Sequence, residues 1–193
     1  MFGESNRGDV TRHEDYIMEE RISSKIEYES IASEIAAMVA KDQEMRKRAL
    51  KNEGVIETEE DEKLDQENTI RMKEIINQIG WPTIPKVGKE IAEGAWFLVQ
   101  HADHDVEFQK RCLQLMRKAP EGEVSKIEIA YLEDRVRVNE GRPQLYGTQF
   151  CGEGENYAPR PIENPKKVDE RRQELGLESM EKYKESLLEK YNQ

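Results

Sequence analysis

Cysteine is nearly missing from this 193-residue chain. Its two copies, Cys112 and Cys151, stand in no CxxC or CxH spacing, so a disulfide framework is excluded and free thiols in a reducing compartment are expected. Histidine is almost as scarce, with three copies. No run approaches the roughly 18 apolar residues of a membrane span. The start, MFGESNRGDVTRHEDY, lacks an apolar signal core. A cytoplasmic protein without membrane contact is therefore expected. Walker loop, GxGxxG, GxSxG and HExxH are all absent, and with them the familiar nucleotide-fold and hydrolase signatures. Positive charge is the minority: 30 Lys and Arg against 41 Asp and Glu, net -11. That balance argues against general nucleic-acid binding, although Arg135, Arg137, Arg142, Arg171 and Arg172 could form a local basic pocket.

What the chain does hold is helix. Hydrophobic residues are 36% and charged residues 37%, thin for a core, but the apolar ones concentrate between Ile70 and Phe150. Residues 1–11 read as a disordered tail and 12–193 as one helical domain. Ile22, Ile26, Ile35, Met38 and Val39 mark a first helix from Thr11 to about Asn52, and Leu64, Met72, Ile75, Ile76 and Ile79 a second over 59–79. Gly80-Trp81-Pro82 ends it. A third helix, Gly88 to His101, is apolar almost all round and is expected to be the buried post of the fold. A fourth follows from Asp105 to Arg117. A fifth opens on Ser125 with Glu128 as a capping box. Residues 142–164 are irregular, with room for a short strand pair; so long a loop suggests function. Asn164-Pro165 opens a short helix and Ser179 a last amphipathic one. The expected fold is all-α: a bundle of about five core helices, a long loop and a C-terminal amphipathic helix.

Chemistry gathers where the third helix ends. His101, His104 and Asp105 share a face if the helix continues. With Asp134 they offer a metal set, though a metal wants three or four convergent ligands and no second helix carries histidine. The competing reading gives His101 acid–base work, oriented by Asp103 or Asp134, since imidazole titrates near neutrality. Arg135, beside Asp134 on a partly buried helix, could clamp an anion or form a structural ion pair. GRPQLYGTQF concentrates Gln144, Tyr146, Thr148 and Gln149, either to read a ligand or to satisfy a turn. Asp42 with Arg46, and Asp65 with Asn68 and Arg71, read from spacing as solvated helix faces.

The ordered series GWPxxxxVG, AWFLVQHAD, GEVS, AYLEDRV, GRPQLYGTQF, PIENP and VDERRQELGLESMEKY resembles a bacterial family of unknown function, over about Asp42 to the C-terminus. The resemblance implies no activity, substrate or cofactor. It does imply that Asp42, Arg46, Asn68, His101, Asp103, Asp134, Arg135, Gln144, Tyr146, Thr148, Gln149 and Arg172 occupy family motif positions. His104 is less tied to the pattern. PIENP stands where PIEDP is expected, and Asn can cap a helix as Asp does.

The sequence thus leads to three expectations. The first is an enzyme of hydrolase or transferase type, or a binding protein, for a small anionic ligand. There His101 is the acid–base group with Asp103 or Asp134, and Arg135 and Arg172 hold the anion. Gln144, Tyr146, Thr148 and Gln149 read the ligand, and no cofactor is needed. The second is a metal-dependent hydrolase using His101, His104, Asp105 and Asp134. The third is a non-enzymatic interaction protein of a toxin–antitoxin, immunity or phage-related system. Homodimerisation through the terminal helices is compatible with each.

Overall fold

A computed structural model describes residues 7–51, 58–152 and 157–191. In chain order these form α1 (Arg7–Lys51), α2 (Glu59–Ile79), α3 (Ile84–Val87), α4 (Lys89–Gln100), α5 (Val106–Lys118) and α6 (Lys126–Asn139). Strands β1 (Phe150–Cys151) and β2 (Ala158–Pro159), a 3-10 turn, α7 (Val168–Glu174) and α8 (Met180–Tyr191) follow. The expected all-α class is observed. Of the expected disordered tail, residues 1–6 lie outside the described residues. Residues 7–11 are helical, because α1 begins at Arg7 rather than Thr11.

Caps set most boundaries. Thr58 and Asp61 form a reciprocal capping box at the start of α2 that the sequence reading passed over. Asp105 caps α5, its Oδ1 accepting from Phe108 N at 3.0 Å. Ser125 caps α6 as expected. Asn164 does not cap: it sits at φ 47 and makes no side-chain bond to the turn that follows. The short helix α3 was not foreseen. Thr83-Ile84-Pro85 starts it, with Pro in the first turn where a missing N–H costs nothing.

Helix α4 is the post around which the others pack. It touches α1, α2, α3, α5 and α6. Ala92, Ala95, Leu98 and Val99 meet Ile31 and Ile35 of α1, the Met72–Ile79 stripe of α2, Phe108, Cys112, Leu113 and Met116 of α5, and Leu132 and Val136 of α6 within one apolar cluster. At the crossing with α1 there is no room for a side chain: a Cβ on Gly94 would stand 2.8 Å from Val39 Cγ2. That close approach brings the next turns of the two helices together, and with them Asp42 and His101.

The irregular segment is closed by an antiparallel pair, Phe150 opposite Pro159 and Cys151 opposite Ala158. It lies under α8. Gly147, at φ 70, admits Met180, whose Sδ would be 2.4 Å from a Cβ there. Tyr183 of α8 packs edge-on to Phe150 and accepts from the Tyr131 hydroxyl at 3.1 Å.

Candidate functional site

The C-terminal end of α4 opens into a cavity of about 350 Å³ lined by Arg46, Glu62, Asp65, Gln66, His101, Asp103, His104 and Arg135. At its base lies Asp42, 0% exposed. Asp42 follows Ile31, Ile35 and Met38 and precedes Met45 on one face of α1, so a carboxylate holds a core position. Its Oδ1 lies 3.1 Å from His101 Nδ1. Arg46, one turn on, donates to both its oxygens through Nε, and its Nη2 reaches Asp42 Oδ1 at 3.0 Å and Asp65 Oδ1 at 2.8 Å. Burial alone would raise the Asp42 carboxyl; the bonds from His101 and Arg46 outweigh it and hold the group below the usual carboxylate range. Asp65 goes the other way, pushed up by burial against the opposing charge of Arg46.

An ionised Asp42 can only accept, so His101 carries its proton on Nδ1 and keeps Nε2 as the basic nitrogen. The ring packs edge-on to Phe97, centroids 4.4 Å apart, which fixes its plane. The carboxylate holding His101 is therefore Asp42. Neither Asp103 nor Asp134 does so, contrary to the sequence expectation.

Asp103 has other partners. Arg135 grips it with a fork, Nε on Oδ1 at 2.8 Å and Nη2 on Oδ2. Asn139 and Gln109 also donate to Oδ1, at 2.7 and 3.2 Å. Partial burial opposes ionisation of Asp103, but Arg135 holds it below its ordinary range. Gln109, fully buried, binds the last carbonyls of α4 at Val99 and Gln100, so this network also caps the post. The remaining Arg135 nitrogen, Nη1, donates to Gln149 Oε1 at 3.0 Å.

Asp134 is elsewhere. It is 0% exposed and accepts from the backbone N–H of Leu145, Tyr146 and Thr148 and from the Thr148 hydroxyl, at 2.6 to 3.1 Å. It ties the irregular loop to α6, and its lone pairs are taken. Gln144 stitches the same loop, accepting from Gln149 N and donating to the carbonyls of Gln149 and Arg160. Arg172 donates to the carbonyls of Tyr146 and Glu178 at 2.6 Å and lies over the Tyr183 ring, away from the cavity lining. The polar density of GRPQLYGTQF is thus a self-satisfied turn. Gln149 alone of it touches the cavity's residues, through Arg135. The Tyr146 phenol is pushed up by burial and by Asp134.

The metal set read from sequence does not converge. Asp105 is committed to Phe108 N and to Lys73 at 2.5 Å, and Asp134 to its loop. His104 does line the cavity. Among the described residues, the group able to offer three ligand atoms within 4.8 Å of one another is Asp42, Asp65 and His101. Asn68 stands one turn beyond Asp65 on α2, buried, its Nδ2 without a partner.

Residues 29–193 match a family pattern, a span that includes every core helix and the whole cavity lining. The chain belongs to that family, DUF6624, a family of unknown function. The DUF6624 span opens two residues before Ile31, the first core residue, earlier than the motifs alone suggested. No curated protein and no solved structure matches the chain.

Proposed function

We propose that this protein acts on a small polar molecule in the cavity at the end of α4, with His101 as the group that takes and returns a proton. The supporting observation is the Asp42–His101 contact: a fully buried carboxylate 3.1 Å from Nδ1 of a histidine that lines a cavity. Burying a charge costs several kcal/mol unless it is well bonded. A core that only needed packing would carry an apolar residue there, as it does at Ile35 and Met45. The buried carboxylate orients the ring and stabilises the imidazolium formed during transfer, a positioning role for Asp42 and a catalytic one for His101. Arg135 with Asp103, and Arg46 with Asp42, wall the cavity. The reaction class is acid–base catalysis of hydrolase or transferase type.

Incubation with a metabolite mixture, read by mass spectrometry, tests this. Turnover of at least one compound is expected with the native protein. It should fall by a factor of roughly 10² or more in His101→Gln, with Asp42→Asn between the two. Native-level turnover by His101→Gln refutes the reading.

One observation favours a second reading, a divalent metal held by Asp42, Asp65 and His101. In its way stands Arg46, whose guanidinium bridges both carboxylates. If the metal reading holds, protein purified without chelator carries about one equivalent of metal by elemental analysis, lost in Asp65→Asn. Metal-free protein with undiminished turnover removes it.

A further inference from the structure

The cavity's hydrogen-bonding capacity is unevenly used. Both of its guanidiniums are engaged by the protein's own carboxylates. Arg46 gives Nε and Nη2 to Asp42 and Asp65. Arg135 gives Nε and Nη2 to Asp103 and Nη1 to Gln149. A guanidinium with its fork filled by carboxylate is a poor anion clamp, because an incoming anion must break charge-assisted bonds to gain equivalent ones. The acids are less fully engaged. Asp65 uses Oδ1 for Arg46, and its Oδ2 accepts no bond among the described residues. Glu62, one turn earlier on the same face of α2, lines the cavity with no ion pair among the described residues. Two lining guanidiniums face three lining carboxylates, with Asp42 a fourth at the base. The field inside is negative, in a molecule that is itself negative.

From this we infer that the ligand worked on by His101 carries a cationic group, an organic ammonium or amidinium, seated between Asp65 Oδ2 and Glu62. The inference rests on the proposed acid–base reading for the identity of the site but not for its charge. It reverses the anionic ligand that Arg135 suggested in the sequence. A cavity of about 350 Å³ is far larger than a bare ion, and Arg46 already occupies the space between Asp42 and Asp65. An organic cation at the outer oxygens avoids displacing it. The free Nε2 of His101 then meets the part of the ligand that exchanges a proton.

Calorimetry and thermal shift on the full chain test the charge directly. The probes are n-butylamine, 1,4-diaminobutane and n-butylguanidine, against butyrate and butyl phosphate, with magnesium, manganese and zinc chlorides as separate arms. Binding of the three cations is expected, with none by the two anions. Affinity should fall roughly tenfold in Glu62→Gln, an exposed site that leaves the fold alone, and in Asp65→Asn. The exposed Glu170→Gln, far along the chain, should change nothing and so separates the site from general attraction to an acidic protein. His101→Gln should still bind the cations while losing turnover, so failure of the proton-transfer reading leaves this result standing. No shift with any ammonium probe, preferential binding of the anions, equal binding by Glu62→Gln, or a shift produced only by a divalent ion each overturns the inference.

Discussion

At the scale of single residues, the site turns on carboxylates placed where sequence spacing suggests water. Asp42 and Asp65 read as ordinary i, i+4 and i, i+3 partners on exposed helix faces. Both lie on the apolar stripes of their helices: Asp42 in step with Ile31, Ile35 and Met45, Asp65 in step with Met72, Ile76 and Ile79. That signal was present in the sequence and could have been found by asking which acids interrupt a core face. Glu128 is a second misplaced acid. Burial, with Glu93 nearby, pushes its carboxyl up to about 7 from an ordinary 4.5. The folded state thus holds its proton where the unfolded state has lost it, and stability falls as pH rises from 4.5 through 7. Glu128→Gln removes that loss. The variant is expected to melt higher than native at pH 8, by about 2–4 °C per kcal/mol recovered, with the difference vanishing below about pH 4.5. A melting series across that range measures it; equal melting temperatures at pH 8 would show the carboxyl unperturbed.

At the scale of elements, the α1–α4 crossing decides whether a site exists. Gly94 is a poor helix former, weaker than Ala by about 1 kcal/mol, so its presence mid-helix needs a reason. The reason is Val39, whose Cγ2 leaves no space for a Cβ and whose branched side chain has one favoured rotamer in a helix. Gly94→Ala should therefore destabilise despite its better propensity, by about 1–3 kcal/mol, as overpacking does. Because Asp42 and His101 lie on the next turns of the same two helices, it should also loosen their bond. Urea denaturation gives the first effect. The Nδ1 proton resonance of His101, shifted downfield by a carboxylate partner, gives the second. A more stable Gly94→Ala variant would mean that the crossing has slack. The loop of residues 142–164 illustrates the opposite dependence. Its glutamines and threonine looked like ligand readers, but they satisfy each other, Asp134 and Arg172. Neutral polar density in a sequence records hydrogen-bonding demand without saying whether a ligand or the backbone supplies the partner.

At the scale of the molecule, the body and the long first helix separate. At about 1.5 Å per residue α1 would run about 68 Å, well beyond the reach of α2. The core uses it only from Ile31 on, with Tyr28 packed alongside. Met18, Ile22 and Ile26 are 62%, 54% and 62% exposed. A chain starting at Glu27 should keep one cooperative unfolding transition, its midpoint within about 2 °C of the full chain. Loss of that transition in calorimetry would show that the extension is part of the domain. No helix among the described residues is long and apolar enough to cross a membrane.

Helix positions, caps and the buried nature of α4 were determined by the sequence alone, because they depend on local periodicity, on hydrogen-bonding side chains next to helix ends, and on glycine and proline. So was the choice of His101 over His104. Which carboxylate faces His101 was decided only in three dimensions. Asp42 stands 59 positions away from it in the chain, and Asp65 reaches the same cavity from another helix. No local pattern encodes a contact of that separation. It follows from the absence of a side chain at Gly94, which lets two helices close far enough for one carboxylate to be buried against one imidazole.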